Sequence, residues 1–124
     1  MTIAIICLVI AAIMPYLVII PAKINDAYDN KMPRASDSYK SGLSGRAYAA
    51  HQNCLEAFPI FAAALFAILF IRPDNQVIEW APIIYIILRL CFVIAYYLDQ
   101  SKLRSTFWIG AFSINLYMFV IALI

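Results

Sequence analysis

Four long apolar runs, separated by short polar breaks, dominate the pattern along the chain. The first runs from Ile3 to Ala22. About 20 residues at 1.5 Å per residue match the hydrocarbon core of a bilayer. No basic segment precedes this run, and it is too long for the apolar part of a signal peptide. Pro15 inside it predicts a kink, which membrane helices tolerate where neighbours satisfy the freed carbonyl. The only long polar segment follows, residues 23–45, where Asp, Asn, Ser, Gly and Pro33 predict a loop with at most a short interfacial turn. A second helix is predicted over 46–71, ending at the breakers Pro73, Asp74 and Asn75. A third is predicted over 77–98 and a fourth over 103–124, with the link Asp99 to Lys102 between them. The pattern therefore predicts one all-α domain: a bundle of four transmembrane helices.

Composition says which solvent this bundle meets. Of 124 residues, 65% are hydrophobic and 13% charged, and the mean hydropathy is +0.86. Soluble domains usually carry about 45–50% apolar and about 25% charged residues. A chain this short cannot bury such an excess in water, so lipid is the expected solvent. A net charge of +2 with no basic run argues against nucleic-acid binding. Cys7, Cys54 and Cys91 are scattered through apolar stretches and form neither a disulfide framework nor a CxxC metal site. They read as small packing residues.

The distribution of Lys and Arg predicts orientation. Lys23, Lys31, Arg34, Lys40 and Arg46 fall on the first loop and its boundary, and Lys102 and Arg104 on the third link. Only Arg72 falls on the opposite side. Loops one and three are therefore expected in the cytoplasm and both termini outside.

Polar residues inside the spans are the candidate chemistry. Helix two carries His51, Gln52, Asn53 and Glu56, and helix three carries Arg89. An ionised residue at a helix centre costs about 2.5–3.5 kcal/mol on insertion scales, so it normally faces an interior and finds a partner. Glu56 and Arg89 each lie roughly 15 Å from the cytoplasmic end of neighbouring antiparallel helices. A Glu56–Arg89 ion pair is expected, within one subunit or across a subunit interface. At 100° per residue, Arg46, Ala50, Asn53 and Ala57 share one stripe, with Glu56 on its flank. Two small residues among polar ones predict a groove. Pro59 adds an acceptor by leaving the Leu55 carbonyl without its helical donor.

Lys23, Arg46 and Arg104 cluster at the cytoplasmic mouth, with Tyr96 and Tyr97 just inside. Singly, each reads as a snorkelling or interfacial anchor. Together they form a basic mouth suited to a small anionic ligand from the cytosol, with an apolar co-substrate arriving through lipid. His51 has no second His or Cys at ligand spacing and reads as a hydrogen-bonding residue, so no metal site is expected. The three glycines, Gly42, Gly45 and Gly110, cannot build a nucleotide-binding loop or a nucleophile elbow.

The segment Arg46-x-x-x-Ala50-x-x-Asn53-x-x-Glu56, followed by Ala57-Phe58-Pro59, resembles the second-helix signature of the MAPEG superfamily, the membrane-associated proteins of eicosanoid and glutathione metabolism. The match extends upstream through Tyr28-Asp29-Asn30-Lys31 and Pro33-Arg34, and downstream through Arg89, Tyr96 and Leu103-Arg104. It covers nearly the whole chain and looks like the short bacterial branch, which implies a bacterial inner membrane. The resemblance implies a homotrimer with glutathione held between neighbouring subunits near the cytosolic face. By motif position, Arg46, Asn53 and Glu56 would hold glutathione, with Tyr96 beside it and Arg104 near the sulfur. His51, Arg89 and Lys23 join the candidate binding set from the groove and the mouth. The implied activity is a glutathione-dependent transferase or peroxidase acting on lipophilic electrophiles through a stabilised thiolate. The sequence departs from the eukaryotic pattern at Ala49, where an arginine is usual, and at Phe92, where a tyrosine is common.

Two other classes stay open. Small proton-coupled multidrug exporters also have four helices and an intramembrane glutamate, but in the first helix, which here carries no acidic residue. A non-catalytic membrane protein of the same fold would form trimers without binding glutathione.

Overall fold

A computed structural model describes residues 1–124 as an all-helical chain. The elements are α1 (Thr2–Val18), α2 (Ile20–Lys23), a 3-10 turn (Asp37–Tyr39), α3 (Gly42–Ile71), α4 (Val77–Tyr97) and α5 (Ser101–Leu123). Four of these stretches are long and apolar enough to cross a membrane, α1 and α2 together forming the first.

The first span is interrupted beyond its internal proline. α1 continues through Pro15, and the break falls at Ile19. Pro21 explains the position: it has no N–H to offer the Leu17 carbonyl, and it sits in the first turn of α2, where a proline is tolerated. Carbonyls at the end of α1 are satisfied by side chains from other helices. His51 Nδ1 lies 2.8 Å from the Pro15 carbonyl oxygen, and the Tyr97 hydroxyl donates to the Val18 carbonyl at 2.6 Å. The Ser44 hydroxyl donates to the Pro21 carbonyl at 3.4 Å.

α3 starts at Gly42, four residues before the sequence-predicted boundary. Ser and Gly suggest a loop there, yet Gly45 N–H already bonds the Ser41 carbonyl at 3.0 Å and Ser44 is buried. Gly42, with φ +62°, lets the chain turn into the helix. The preceding loop folds back onto α3: Asn25 donates to Ser44 Oγ at 3.0 Å, and the Tyr39 and Tyr48 rings stack with centroids 4.1 Å apart. Burial, together with the neighbouring Tyr28 and Tyr48, pushes the Tyr39 hydroxyl above the ordinary tyrosine pKa.

α4 is the most buried span, lying against α1, α3 and α5, and α5 is the least buried. Phe61 of α3 stacks on Tyr85 of α4 at 3.9 Å in the middle of the core. Small residues bring the helices close: a Cβ on Gly110 of α5 would sit 3.3 Å from the Leu88 side chain of α4. Outward faces stay apolar, with Phe66, Phe70, Ile87 and Ile94 exposed, as hydrocarbon surroundings permit. α4 ends in a Schellman motif. Gln100 N–H reaches the Ala95 carbonyl and Asp99 N–H the Tyr96 carbonyl, with Asp99 in the left-handed region at φ +59°.

Candidate functional site

A groove runs along α3, α4 and α5, built from cavities that share residues. The inner cavity, about 150 Å³, is lined by Asn53, Glu56, Ala57, Ile60, Tyr85, Arg89, Trp108, Ala111, Phe112 and Asn115. The middle one, about 360 Å³, shares Asn53 and Trp108 and adds Phe92, Tyr96, Arg104, Ser105 and Ile109. Tyr96 also lines the mouth, about 260 Å³, with Arg46, Ala49, Asp99 and residues before and at the start of α3. The helical period of α3 sends Arg46, Ala49, Asn53, Glu56 and Ile60 along one side.

Arg89 is 2% exposed, and its charge is met by hydrogen bonds from Nη2 to Asn53 Oδ1 at 3.0 Å and Cys54 Sγ at 3.3 Å. The Phe92 ring lies 4.4 Å below its guanidinium carbon. Tyr85 donates from its hydroxyl to the Ala57 carbonyl at 3.4 Å. Arg104, in the first turn of α5, lies 4.6 Å over the Tyr96 ring, and no hydrogen bond or ion pair involves its guanidinium. Phe92 and Tyr96 meet edge to face at 5.4 Å. Arg46 Nε donates to the Tyr97 carbonyl at 3.3 Å, and its Nη1 lies 3.8 Å from Asp99 Oδ2. A cation thus closes the carbonyl end of α4, where the helix dipole favours it.

The remaining candidates lie on another face. Lys23 and His51 line a cavity of about 520 Å³ with Tyr16, Arg34, Tyr48 and Gln52, on the α1 side of α3. One chain therefore brings Arg46, Asn53, Glu56, Arg89, Tyr96 and Arg104 together and leaves Lys23 and His51 apart from them.

The sequence model of the MAPEG family matches residues 3–124. The chain belongs to the MAPEG family. That membership makes the four apolar helices those of an integral, multi-pass membrane protein, within a family of glutathione-related transferases and peroxidases. The comparison with curated proteins returns no match.

Two details of the sequence expectation change in this MAPEG chain. No Glu56–Arg89 ion pair forms within the subunit, because Arg89 turns to Asn53 and Cys54 on the packed face of α3 while Glu56 stands exposed in the groove. Ala50 is fully buried, and Ala49 takes the groove position, so the polar stripe lies somewhat round the helix from the expected one. Sequence reasoning also missed Tyr85, Trp108, Phe112 and Asn115. Asn115 carried a usable signal, an amide midway along an apolar span, the same kind of signal that identified Asn53. The aromatic residues carried none, since aromatic rings are common in any membrane helix.

Proposed function

We propose that this MAPEG protein binds glutathione along the α3–α5 groove and stabilises its thiolate for reaction with a lipophilic electrophile or hydroperoxide. The observation that carries the reading is Arg104: a guanidinium seated on the Tyr96 ring, free of any hydrogen bond or ion pair, beside Asn53 and Trp108. The donor set suits the ligand. A tripeptide with two carboxylates and one ammonium finds cations at Arg46, Arg89 and Arg104 and a carboxylate at Glu56.

A thiol with pKa near 8.5 is only a few per cent ionised at neutral pH. Lowering that value by about two units takes about 2.7 kcal/mol. One charge-assisted hydrogen bond from Arg104, in a groove partly shielded from water, is of that order. Tyr96 holds the guanidinium in place through its ring and is positioned to orient the sulfur. Asn53, fixed by Arg89, offers its amide to the peptide, and Glu56 accepts from an ammonium group. The apolar walls at Trp108, Ile109 and Phe112 suit a co-substrate dissolved in lipid.

A homotrimer follows from the resemblance, with glutathione between neighbours. The separation of Lys23 and His51 from the groove supports it, since a second copy could bring that face to the groove's open side. The positive-inside bias supports cytoplasmic loops one and three, in a bacterial inner membrane on the branch resemblance. Isothermal titration of detergent-purified protein with glutathione tests the reading: saturable binding, weakened by Glu56→Gln, supports it, and no heat of binding refutes it.

A further inference from the structure

Trp108 and Phe112, one turn apart on α5, lie nearly parallel, with ring centroids 5.3 Å apart and 7° between their planes. Both line the inner cavity, together with Tyr85 of α4, which Phe61 holds in place by stacking at 3.9 Å. Ala57 on α3 and Ala111 on α5 leave the room there, and Ile60 joins the three aromatic side chains as its wall. The cavity measures about 150 Å³. An apolar cavity of about that volume takes up one benzene molecule. Trp108 also lines the middle cavity beside Arg104, and at 40% exposure it keeps surface free for a ligand.

We propose that the inner cavity is a subsite for a single aromatic ring, with Trp108 and Phe112 as its specificity-determining residues. Aromatic rings in offset or edge-to-face contact gain energy beyond the area they bury. A saturated ring or an acyl chain of the same size gains from area alone. Volume sets the second limit, because a fused two-ring body is larger than the cavity holds. Trp108 and Asn53 line both the inner and the middle cavity, so a reactive group close to the ring stands toward Arg104. The ligand class is therefore a one-ring arene rather than a long-chain lipid. The ring's role as part of a co-substrate rests on the glutathione reading; its binding does not.

The test uses the full chain in nanodiscs without any thiol, titrated with nitro compounds that quench indole emission. Trp108 alone reports in a Trp80→Phe background, and Trp80 alone, in Trp108→Phe, reports quencher dissolved in the lipid. 4-Nitrotoluene should quench Trp108 saturably and Trp80 only in proportion to its concentration. At equal membrane concentration it should bind about twofold to tenfold more tightly than nitrocyclohexane, the range one aromatic pair supplies. 1-Nitronaphthalene should bind more weakly than 4-nitrotoluene, and should gain affinity in Phe112→Ala, which enlarges the cavity. Quenching of Trp108 that never saturates overturns the proposal, as does equal affinity for nitrocyclohexane or tighter binding of 1-nitronaphthalene. A folded Phe112→Ala chain with no gain for 1-nitronaphthalene overturns it too. The first comparisons need no cavity variant, so a misfolded Phe112→Ala leaves the proposal decided by them. Saturable 4-nitrotoluene binding in a protein that fails to bind glutathione upholds the subsite and rejects only the glutathione reading. Glutathione binding without saturable quenching rejects the subsite alone.

Discussion

Three arginines in this chain have three different electrostatic settings, and each setting suggests a different consequence of mutation. Arg89 is buried and hydrogen-bonded to Asn53 and Cys54. Arg89→Met should therefore cost about 2–3 kcal/mol of stability, the usual worth of hydrogen bonds to a charged group, seen as a lower thermal midpoint in detergent. Arg46 closes the end of α4 and also faces the groove mouth, so its loss should affect stability and ligand affinity together. Arg104 has no hydrogen bond or ion pair to lose, only its seat on the Tyr96 ring. Arg104→Ala should lower the thermal midpoint only slightly, since it removes one cation–π contact of about 0.5–1 kcal/mol, and should lower turnover of an aryl halide with glutathione roughly 100-fold, the rate equivalent of about 2.7 kcal/mol. Unchanged turnover would remove Arg104 from the mechanism. Glu56 makes no bond within the subunit either, so Glu56→Gln should weaken ligand binding while the fold stays as stable as before.

At the scale of elements, the join between α1 and α2 depends on side chains from α3 and α4. Tyr97→Phe removes the donor to the Val18 carbonyl and should cost about 1 kcal/mol. His51→Leu should cost a similar amount, at about 1 kcal/mol, by freeing the Pro15 carbonyl. Thermal melts of the two single variants and the double variant would show whether the effects add. His51 thus has a structural partner that sequence alone could not name, because the Pro15 carbonyl lies on another helix, 36 residues away along the chain.

The four spans were legible because hydropathy is a property of long windows, and lipid makes it decisive. Their ends were less so. Ser41, Gly42 and Ser44 have loop-like composition, yet the burial of Ser44 against the preceding segment extends α3 upstream. The site was legible where a polar residue stood out against an apolar run, as with Asn53, Glu56 and Arg89. It was illegible where the question was which of two nearby polar groups a side chain would meet. Glu56 and Arg89 lie at matching depths, but depth along a helix does not fix rotation about it. The rotation that buries Arg89 against Cys54 leaves Glu56 facing the groove.

At the scale of the whole molecule, the candidate residues divide between two faces, with the groove residues on one and Lys23 and His51 on another. If neighbouring copies complete each site, co-expression of Arg104→Ala chains with Lys23→Ala chains should recover part of the turnover that each variant lacks alone. Activity no higher than the mean of the separate variants would assign the whole site to one chain.

The central claim is that polar groups were kept in the bundle to hold glutathione. Its most direct measurement is thermal stabilisation of the detergent-purified protein by millimolar glutathione, with Arg104→Ala and Glu56→Gln alongside. Both substitutions leave the hydrogen bonds and ion pairs within the chain intact. The account predicts a rise in the unfolding midpoint for the unsubstituted protein and a smaller rise for each variant. The same midpoint with and without glutathione in the unsubstituted protein, or equal rises in all three, would contradict it.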